Sequence, residues 1–283
     1  MNYGGLPKEY SAFTNSEIVI IPVPYDGTST WIKGADKGPD ALLIASANME
    51  LYDIETDTEV YKRGIYTSKA INEKSSPENM AEAVYYKAIN YINENKFVVT
   101  IGGEHSISIG VIKAHAEKFE NVTVLQIDAH TDLRPEYEGS EFNHACVMSR
   151  VSEWCPFVQV GIRSMDAEEM QYVVPENIFY ARDIIDHDDW MDKAIKKLSK
   201  NVYLTFDLDG LDPSILPGTG TPEPGGLQWY QTLKFLKKVI EKRNLIGFDV
   251  AELCPNEINR TSDFLAAKLV YKILSYKFLN HKK

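Results

Sequence analysis

Short apolar runs alternate with longer amphipathic stretches along this chain of 283 residues, and this alternation constrains its fold more than any other feature. The six apolar runs are EIVIIP at residues 17–22 and those that begin at Phe97 (FVVTIGG), Val122 (VTVLQIDAH), Phe157 (FVQVGIR), Val202 (VYLTFDLD) and Asn244 (NLIGFDVAE). Runs with so few interior polar residues are typical of parallel strands that are buried on both faces. Strands that alternate with helical stretches indicate an α/β fold.

Four of the intervening stretches have the periodicity of amphipathic helices. They are residues 77–95, 188–198, 228–242 and 260–278, and Asp188 or Asp189 is a candidate N-cap for the second. No Gly/Ser tract, low-complexity segment or internal repeat marks a domain boundary. We therefore predict one domain over residues 1–283, with three layers, α/β/α, around a mostly parallel central sheet.

Composition narrows the class of partner. The chain has 30 Lys and Arg against 41 Asp and Glu, a net charge of −11, which argues against nucleic acid or an acidic membrane as a partner. Its three cysteines form no CxxC pair, and the sequence has neither a signal-peptide pattern nor an apolar run long enough to span a membrane. We expect a cytoplasmic protein with reduced thiols.

Polar side chains follow three of the predicted strands, at the edge where parallel sheets bind their ligands. They are His105 after the second run, Asp128, His130 and Asp132 after the third, and Asp207 and Asp209 after the fifth. Gly102 and Gly103 would permit a sharp turn before His105. The three residues after the third run alternate along the chain, so their side chains would share one face if the backbone stays extended.

Four aspartates and two histidines in one place require a cation, because like charges that are brought together repel unless an opposite charge neutralises them. Oxygen and imidazole donors without thiolate favour Mn²⁺ or a similar divalent ion over a structural zinc site. Six ligands exceed what one catalytic ion takes while it keeps an open position, so two ions, roughly 3.5–4 Å apart, are the better fit. Such a pair lowers the pKa of bound water and gives a nucleophile at neutral pH. The cluster therefore predicts a metal-dependent hydrolase.

GGEHS at 102–106, DAHTD at 128–132 and FDLDGLDP at 206–213 resemble, in this order, the signature motifs of the ureohydrolases, which include arginase and agmatinase. The resemblance implies an arginase-like fold, two Mn²⁺ ions per subunit and a homo-oligomer, a trimer or a hexamer. It also implies a ligand set in which His105 and Asp132 hold one ion, His130 and Asp209 hold the other, and Asp128 and Asp207 bridge both. Asp132 would also accept a hydrogen bond from a bridging hydroxide. Glu104 stands where many relatives have Asp, at a position that is not a ligand.

The resemblance implies catalytic roles for two further residues. His144, in FNHACVMSR, resembles the family's proton-shuttle histidine, and an unperturbed imidazole titrates near physiological pH. Glu252, in GFDVAELCP, resembles the glutamate that holds the substrate guanidinium, whose paired N–H groups a carboxylate can grip. Residues 218–226 (GTGTPEPGG) resemble the loop after the last ligand pair in agmatinases. The remaining histidines are expected to have no role in function: His115, His187 and His281.

The tail of the substrate distinguishes the activities of this family. In arginases an Asp directly follows a Gly-x-Arg strand end and helps to bind the amino group, whereas this chain has Ser164 after its Gly-Ile-Arg. The loop before the predicted shuttle histidine has Glu136, Glu138 and Glu141 instead of the Asn and Ser that meet the arginine carboxylate, and an acidic loop tolerates a cationic tail. We therefore expect an agmatinase, which cleaves agmatine to putrescine and urea by attack of metal-bound hydroxide on the guanidinium carbon. The alternatives are guanidinobutyrase, arginase or formimidoglutamase activity and, from a different class, a catalytically silent regulatory relative.

Overall fold

All strands of the computed structural model, which describes residues 1–279, belong to one parallel sheet. They are β1 (Ile18–Val23), β2 (Ile65–Thr67), β3 (Phe97–Gly102), β4 (Val122–Ile127), β5 (Phe157–Ile162), β6 (Ile178–Tyr180), β7 (Asn201–Asp207) and β8 (Asn244–Ala251). The strand order is β2-β1-β3-β8-β7-β4-β5-β6, and each pair of neighbours is parallel. The predicted α/β fold is confirmed. His281 lies outside the described residues.

Helices cover both faces of this sheet. They are α1 (Lys8–Ser11), α2 (Gly38–Ser46), α3 (Pro77–Asn93), α4 (Ile107–Lys118), α5 (Val147–Val151), α6 (Asp189–Lys197), α7 (Trp229–Lys242) and α8 (Thr261–Lys277). The four predicted helices correspond to α3, α6, α7 and α8. Asp188 precedes α6, but its carboxylate pairs with Lys234 and makes no capping hydrogen bond. Within residues 1–279, no helix has both the length and the apolar character that crossing a membrane requires.

Two apolar clusters fill the spaces between the sheet and its helices. Along β1, Ile18 and Ile20 belong to one cluster, and Val19 and Ile21 belong to the other. Side chains of consecutive strand residues point to opposite faces, so the clusters lie on opposite sides of the sheet. The first cluster includes residues of α2, α6, α7 and α8, and the second includes residues of α3, α4 and α5. This is the predicted three-layer arrangement.

Among the elements that the sequence did not predict are β2, β6, α1, α2 and α5. β2 and β6 have three residues each and form the two edges of the sheet. So short a segment has too few positions for an alternating pattern. In α2 six of nine residues are buried, including Leu42 and Leu43, so the polar face that identifies a helix in the sequence is small.

Candidate metal centre

The predicted site residues lie at the carboxyl ends of the four central strands, which are neighbours in the order β3-β8-β7-β4. His105 follows β3, Glu252 follows β8, and Asp209 follows β7. Asp128 is the first residue after β4. Parallel strands place these ends along one edge of the sheet, where ligands of open α/β sheets bind. Residues that are up to 147 positions apart in the sequence therefore meet here.

Two histidines organise the cluster, each facing its own set of carboxylates. His105 Nδ1 lies 2.8 Å from Asp132 Oδ2, 3.2 Å from Asp128 Oδ2 and 3.3 Å from Asp207 Oδ2. His130 Nδ1 lies 3.0 Å from Asp209 Oδ2 and 3.6 Å from Asp128 Oδ1. The two oxygens of Asp128 thus face different histidines, which is the placement that a bridging ligand requires.

The structure brings all six predicted ligands together, in two groups that share Asp128. His105, Asp128 and Asp132 offer ligand atoms within 4.8 Å of one another, and so do Asp128, His130 and Asp209. Asp207 lies beside the first group, and its Oδ1 accepts a hydrogen bond of 2.9 Å from the backbone N–H of Asp209. The grouping agrees with Asp128 as a bridge. The individual ligand roles stay predictions.

The chain does not stay extended through DAHTD, so the condition under which alternate side chains would share one face is not met. β4 ends at Ile127, and Asp128 Oδ1 accepts a hydrogen bond of 2.6 Å from the backbone N–H of His130. Asp132 has a φ of 52°, in the left-handed region that non-glycine residues rarely adopt. Glu252 has a φ of 66°. The side chains therefore converge through a turn, and backbone strain of this kind is concentrated at functional sites.

The glycines before His105 are required for close packing rather than for a turn. A Cβ on Gly103 would lie 1.8 Å from the carbonyl oxygen of Tyr25, and a Cβ on Gly102 would lie 2.5 Å from a side-chain atom of Ile107. Neither glycine has a positive φ. Their small size lets the loop after β1 pass directly beside the end of β3.

A hydrogen-bonded chain behind His105 fixes which ring nitrogen faces the carboxylates. Thr205 Oγ1 lies 2.8 Å from His105 Nε2 and donates to Asp249 Oδ1 at 2.8 Å. Because the hydroxyl hydrogen is used on Asp249, the hydroxyl oxygen accepts from His105, so Nε2 carries the proton. The Asp249 carboxylate is buried and also accepts from Ser108 and Tyr203. Nδ1 of His105 is left as a lone-pair donor aimed at the cluster.

The charges of the cluster fit two divalent cations. Burial, and then repulsion from Asp128, raises the pKa of Asp132 to about 7. Burial, and then repulsion from Asp209 and Asp128, raises the pKa of Asp207 well above its usual range. Within residues 1–279, His105 Nδ1 and Asp132 Oδ2 are buried without a hydrogen-bond partner of acceptable geometry. A divalent ion would accept these converging lone pairs and neutralise the crowded carboxylates. The oxygen and nitrogen donors suit Mn²⁺.

A cavity of about 250 Å³ opens beside the cluster. His144 lines it together with His130 and Asp132. Its role as the proton shuttle stays a prediction. Burial, and then the charges of His130 and His105, lower the pKa of His144 to about 4. In the 218–226 loop, the Thr221 hydroxyl donates to Asp209 Oδ2 at 3.4 Å.

Glu252 does not line this cavity. Its Oε1 accepts a hydrogen bond of 2.8 Å from the backbone N–H of His105. Its Oε2 lies near Gly220, where an added Cβ would be 3.6 Å away. Burial, and then the neighbouring charges of Glu104 and Asp209, raise its pKa well above the usual range. Glu252 is thus part of the buried acidic cluster. Its predicted contact with the substrate guanidinium stays a prediction.

The structure adds polar residues that the sequence analysis did not select. Asp166 lines the cavity, Thr28 contacts His144, and Thr205 and Asp249 support His105. Asp249 had a signal in the sequence, because it is an acidic residue inside an apolar strand run. The two threonines had none, since hydroxyl side chains are common in strands and loops.

Fold and cluster together define an α/β protein suited to bind divalent metal ions at the carboxyl ends of its central strands. A model of the arginase family matches residues 16–275. An N(1)-aminopropylagmatine ureohydrolase from Synechocystis sp. is 39% identical over 95% of this chain and 94% of that protein. One from Thermus thermophilus is 34% identical over 94% of this chain and 92% of that protein. The agmatine ureohydrolase structure from Thermoplasma volcanium has a TM-score of 0.88 at 27% identity, over 100% of this chain and 96% of that one. The chain belongs to the arginase family of hydrolases.

Proposed function

We propose that this protein releases urea from a guanidine whose tail carries an amine, with two Mn²⁺ or similar divalent ions held by the six Asp and His residues. The observation that supports the amine tail is the composition of the cavity wall. His130 and Asp132 of the cluster line the same cavity as Asp166, a carboxylate outside the predicted ligand set. One substrate can therefore contact both the cluster and Asp166.

Asp166 has an oxygen available for an ammonium group. Its Oδ1 accepts the backbone N–H of Glu168 at 3.0 Å. Its Oδ2 lies 3.4 Å from Arg134 Nη2, a loose contact that leaves further acceptor capacity. The Arg134 guanidinium lies 4.4 Å from the ring centroid of Tyr137 and pairs with Glu169 as well, so its charge is already shared. A tail that ends in a carboxylate would instead bring a like charge to Asp166.

The similar proteins favour one amine-tailed guanidine in particular. The Synechocystis and Thermus relatives are named N(1)-aminopropylagmatine ureohydrolases, and the Thermoplasma structure is that of an agmatine ureohydrolase. N(1)-aminopropylagmatine is agmatine with its amine extended by an aminopropyl group, so it carries one more ammonium. We take it as the substrate, with urea and spermidine as products. Agmatine, the expectation from sequence, is the second candidate, and its product would be putrescine.

The ions and the residues of the site have separate roles in the proposed reaction. When bound, the two ions supply a water of lowered pKa as the nucleophile. Asp166 holds the tail ammonium, and His144 moves a proton at Nε2. Glu252, which does not line the cavity, accepts the backbone N–H of His105 and so positions that predicted ligand. Holding both ends of the substrate fixes the guanidinium carbon in one orientation, which lowers the entropic part of the barrier.

A substrate panel tests the proposal. Urea release from the Mn²⁺-loaded protein is measured with N(1)-aminopropylagmatine, agmatine, arginine and guanidinobutyrate. We expect kcat/KM to be about 10-fold higher for N(1)-aminopropylagmatine than for agmatine, since one charge-assisted contact contributes on the order of 1.4 kcal/mol. A higher value for agmatine would select the second candidate. Faster urea release from arginine than from either would refute the amine tail, and no urea from any guanidine would favour the silent relative.

Asp166→Asn tests the tail contact directly. The variant should raise KM for the amine-tailed substrates by about 10-fold, because it removes the charge that faces the ammonium. Butylguanidine, which has no amine, is the matched control and should be hydrolysed equally well by both proteins. An equal loss with butylguanidine would show that Asp166 acts on the cluster instead.

A further inference from the structure

A second hydrogen-bonded chain ends at a buried carboxylate that has no place in the metal set, Glu104. Thr28 Oγ1 lies 3.1 Å from His144 Nδ1 and donates to Glu104 Oε1 at 2.9 Å. Thr28 comes from the loop after β1, Glu104 from the turn after β3, and His144 from the loop after β4. Thr28 and Glu104 are both buried. Three separate segments thus contribute to one hydrogen-bonded chain that runs from His144 through Thr28 to Glu104.

The number of available hydrogens fixes the direction of each bond. Glu104 also accepts from the backbone N–H of Ser106 at 2.7 Å and from its hydroxyl at 2.8 Å, so it acts as an acceptor throughout. The single hydroxyl hydrogen of Thr28 is therefore used on Glu104, and the Thr28 oxygen can only accept. It already accepts the backbone N–H of His144 at 3.0 Å. The bond to the ring then requires a proton on His144 Nδ1.

We propose that Thr28 and Glu104 are positioning residues that hold His144 as the Nδ1–H tautomer, with the lone pair of Nε2 left free to accept a proton. The arrangement has the logic of an acid, hydroxyl and imidazole relay, in which a buried carboxylate orients a base without touching the substrate. Glu104, whose longer side chain distinguishes GGEHS from many relatives, supplies the acid.

The relay has a consequence for proton transfer, which rests on the proposed function. When Nε2 takes a proton from the reacting centre, the ring becomes an imidazolium that keeps its Nδ1–H on Thr28. The proton on Nε2 then passes to the departing amine, and the ring returns to the Nδ1–H form. A ring with its proton on Nε2 and its Nδ1 facing Thr28 would have no free nitrogen with which to take up the proton.

The tautomer can be measured without turnover. Protein labelled with ¹⁵N-histidine and loaded with diamagnetic Zn²⁺ gives ring nitrogen shifts that distinguish Nδ1–H from Nε2–H, and His144→Asn assigns the signal. Thr28→Val keeps the side-chain shape and removes the hydroxyl, and Thr28→Ser is the matched control that keeps it. Kinetics on the Mn²⁺-loaded proteins give kcat and KM separately, and thermal unfolding verifies that each variant folds.

We expect the Nδ1–H form in the wild type and in Thr28→Ser, and loss of that preference in Thr28→Val. The kcat of Thr28→Val should fall about 10- to 100-fold, within the range of general acid–base effects, with KM changed less than about 3-fold. Thr28→Ser, which keeps the hydroxyl, should retain most of the wild-type kcat. An Nε2–H signal in the wild type, or an unchanged tautomer in folded Thr28→Val, would overturn the relay. Because the spectrum needs no substrate, a failed substrate panel would not be mistaken for a failed relay.

Discussion

Acidification should destabilise the protein through His115, a residue of α4 that lies outside the predicted site. Its ring is fully buried, 4.6 Å from the ring of Tyr203. Nδ1 lies 2.8 Å from the carbonyl oxygen of Val111, so it carries the proton and donates it. Nε2 has no hydrogen-bond partner within residues 1–279, and a Cβ on Gly247 would lie only 2.3 Å from it. Burial lowers the pKa of His115 to about 4.

The sign and the size of the effect follow from this pKa. In the unfolded chain the pKa returns to 6.5, so between pH 6.5 and 4 the unfolded state binds more protons than the folded state. The contribution of His115 to stability is fully present above pH 6.5 and is lost as the pH falls through 4. At about 1.4 kcal/mol for each pKa unit, the full contribution is about 3 kcal/mol. About 2 kcal/mol of it should be lost between pH 7 and pH 5.

His115→Leu isolates this contribution, because leucine has a similar volume and does not titrate. The free energy of unfolding is measured by urea titration of the metal-free wild type and variant at pH 7 and at pH 5. The carboxylates of the cluster contribute equally to both proteins, so the wild type should lose about 2 kcal/mol more than the variant on acidification. Equal losses with unchanged m-values would show that His115 is not held neutral by burial, and the reasoning would fail.

Two further predictions concern the metal centre. Asp128→Ala removes the carboxylate that faces both His105 and His130, so we expect elemental analysis to find both ions depleted and turnover abolished. Wild-type metal content in that variant would refute the bridging role. Asp249→Asn weakens the support that Thr205 gives to His105, so Mn²⁺ titration should show about 10- to 100-fold weaker binding of one ion, with the other ion nearly unaffected. Equal weakening of both ions, or of neither, would contradict the assignment of Asp249 to His105.

The residues of the cluster could be predicted from sequence because their positions are marked locally. His105, Asp128 and Asp207 each lie at or just after the end of an apolar run, and parallel strands bring such ends to one edge whatever their order. The supporting residues lack such a mark. Thr28 lies 76 positions from Glu104 and 116 from His144, and nothing in either segment indicates the contact. Only the strand order, with β1 beside β3, brings the three together.

The central position of the four strands explains why the polar cluster does not unfold the sheet that holds it. Asp132 and Glu252 adopt positive φ angles, and four aspartates are buried side by side, so local preference and electrostatics both oppose this arrangement. The four strands that hold it are the central ones, with an apolar cluster on each side, and they supply the packing that resists relaxation. Two divalent ions would offset the charges of the four aspartates. Metal binding then removes the main electrostatic cost of the folded state, so metal affinity and stability depend on the same residues.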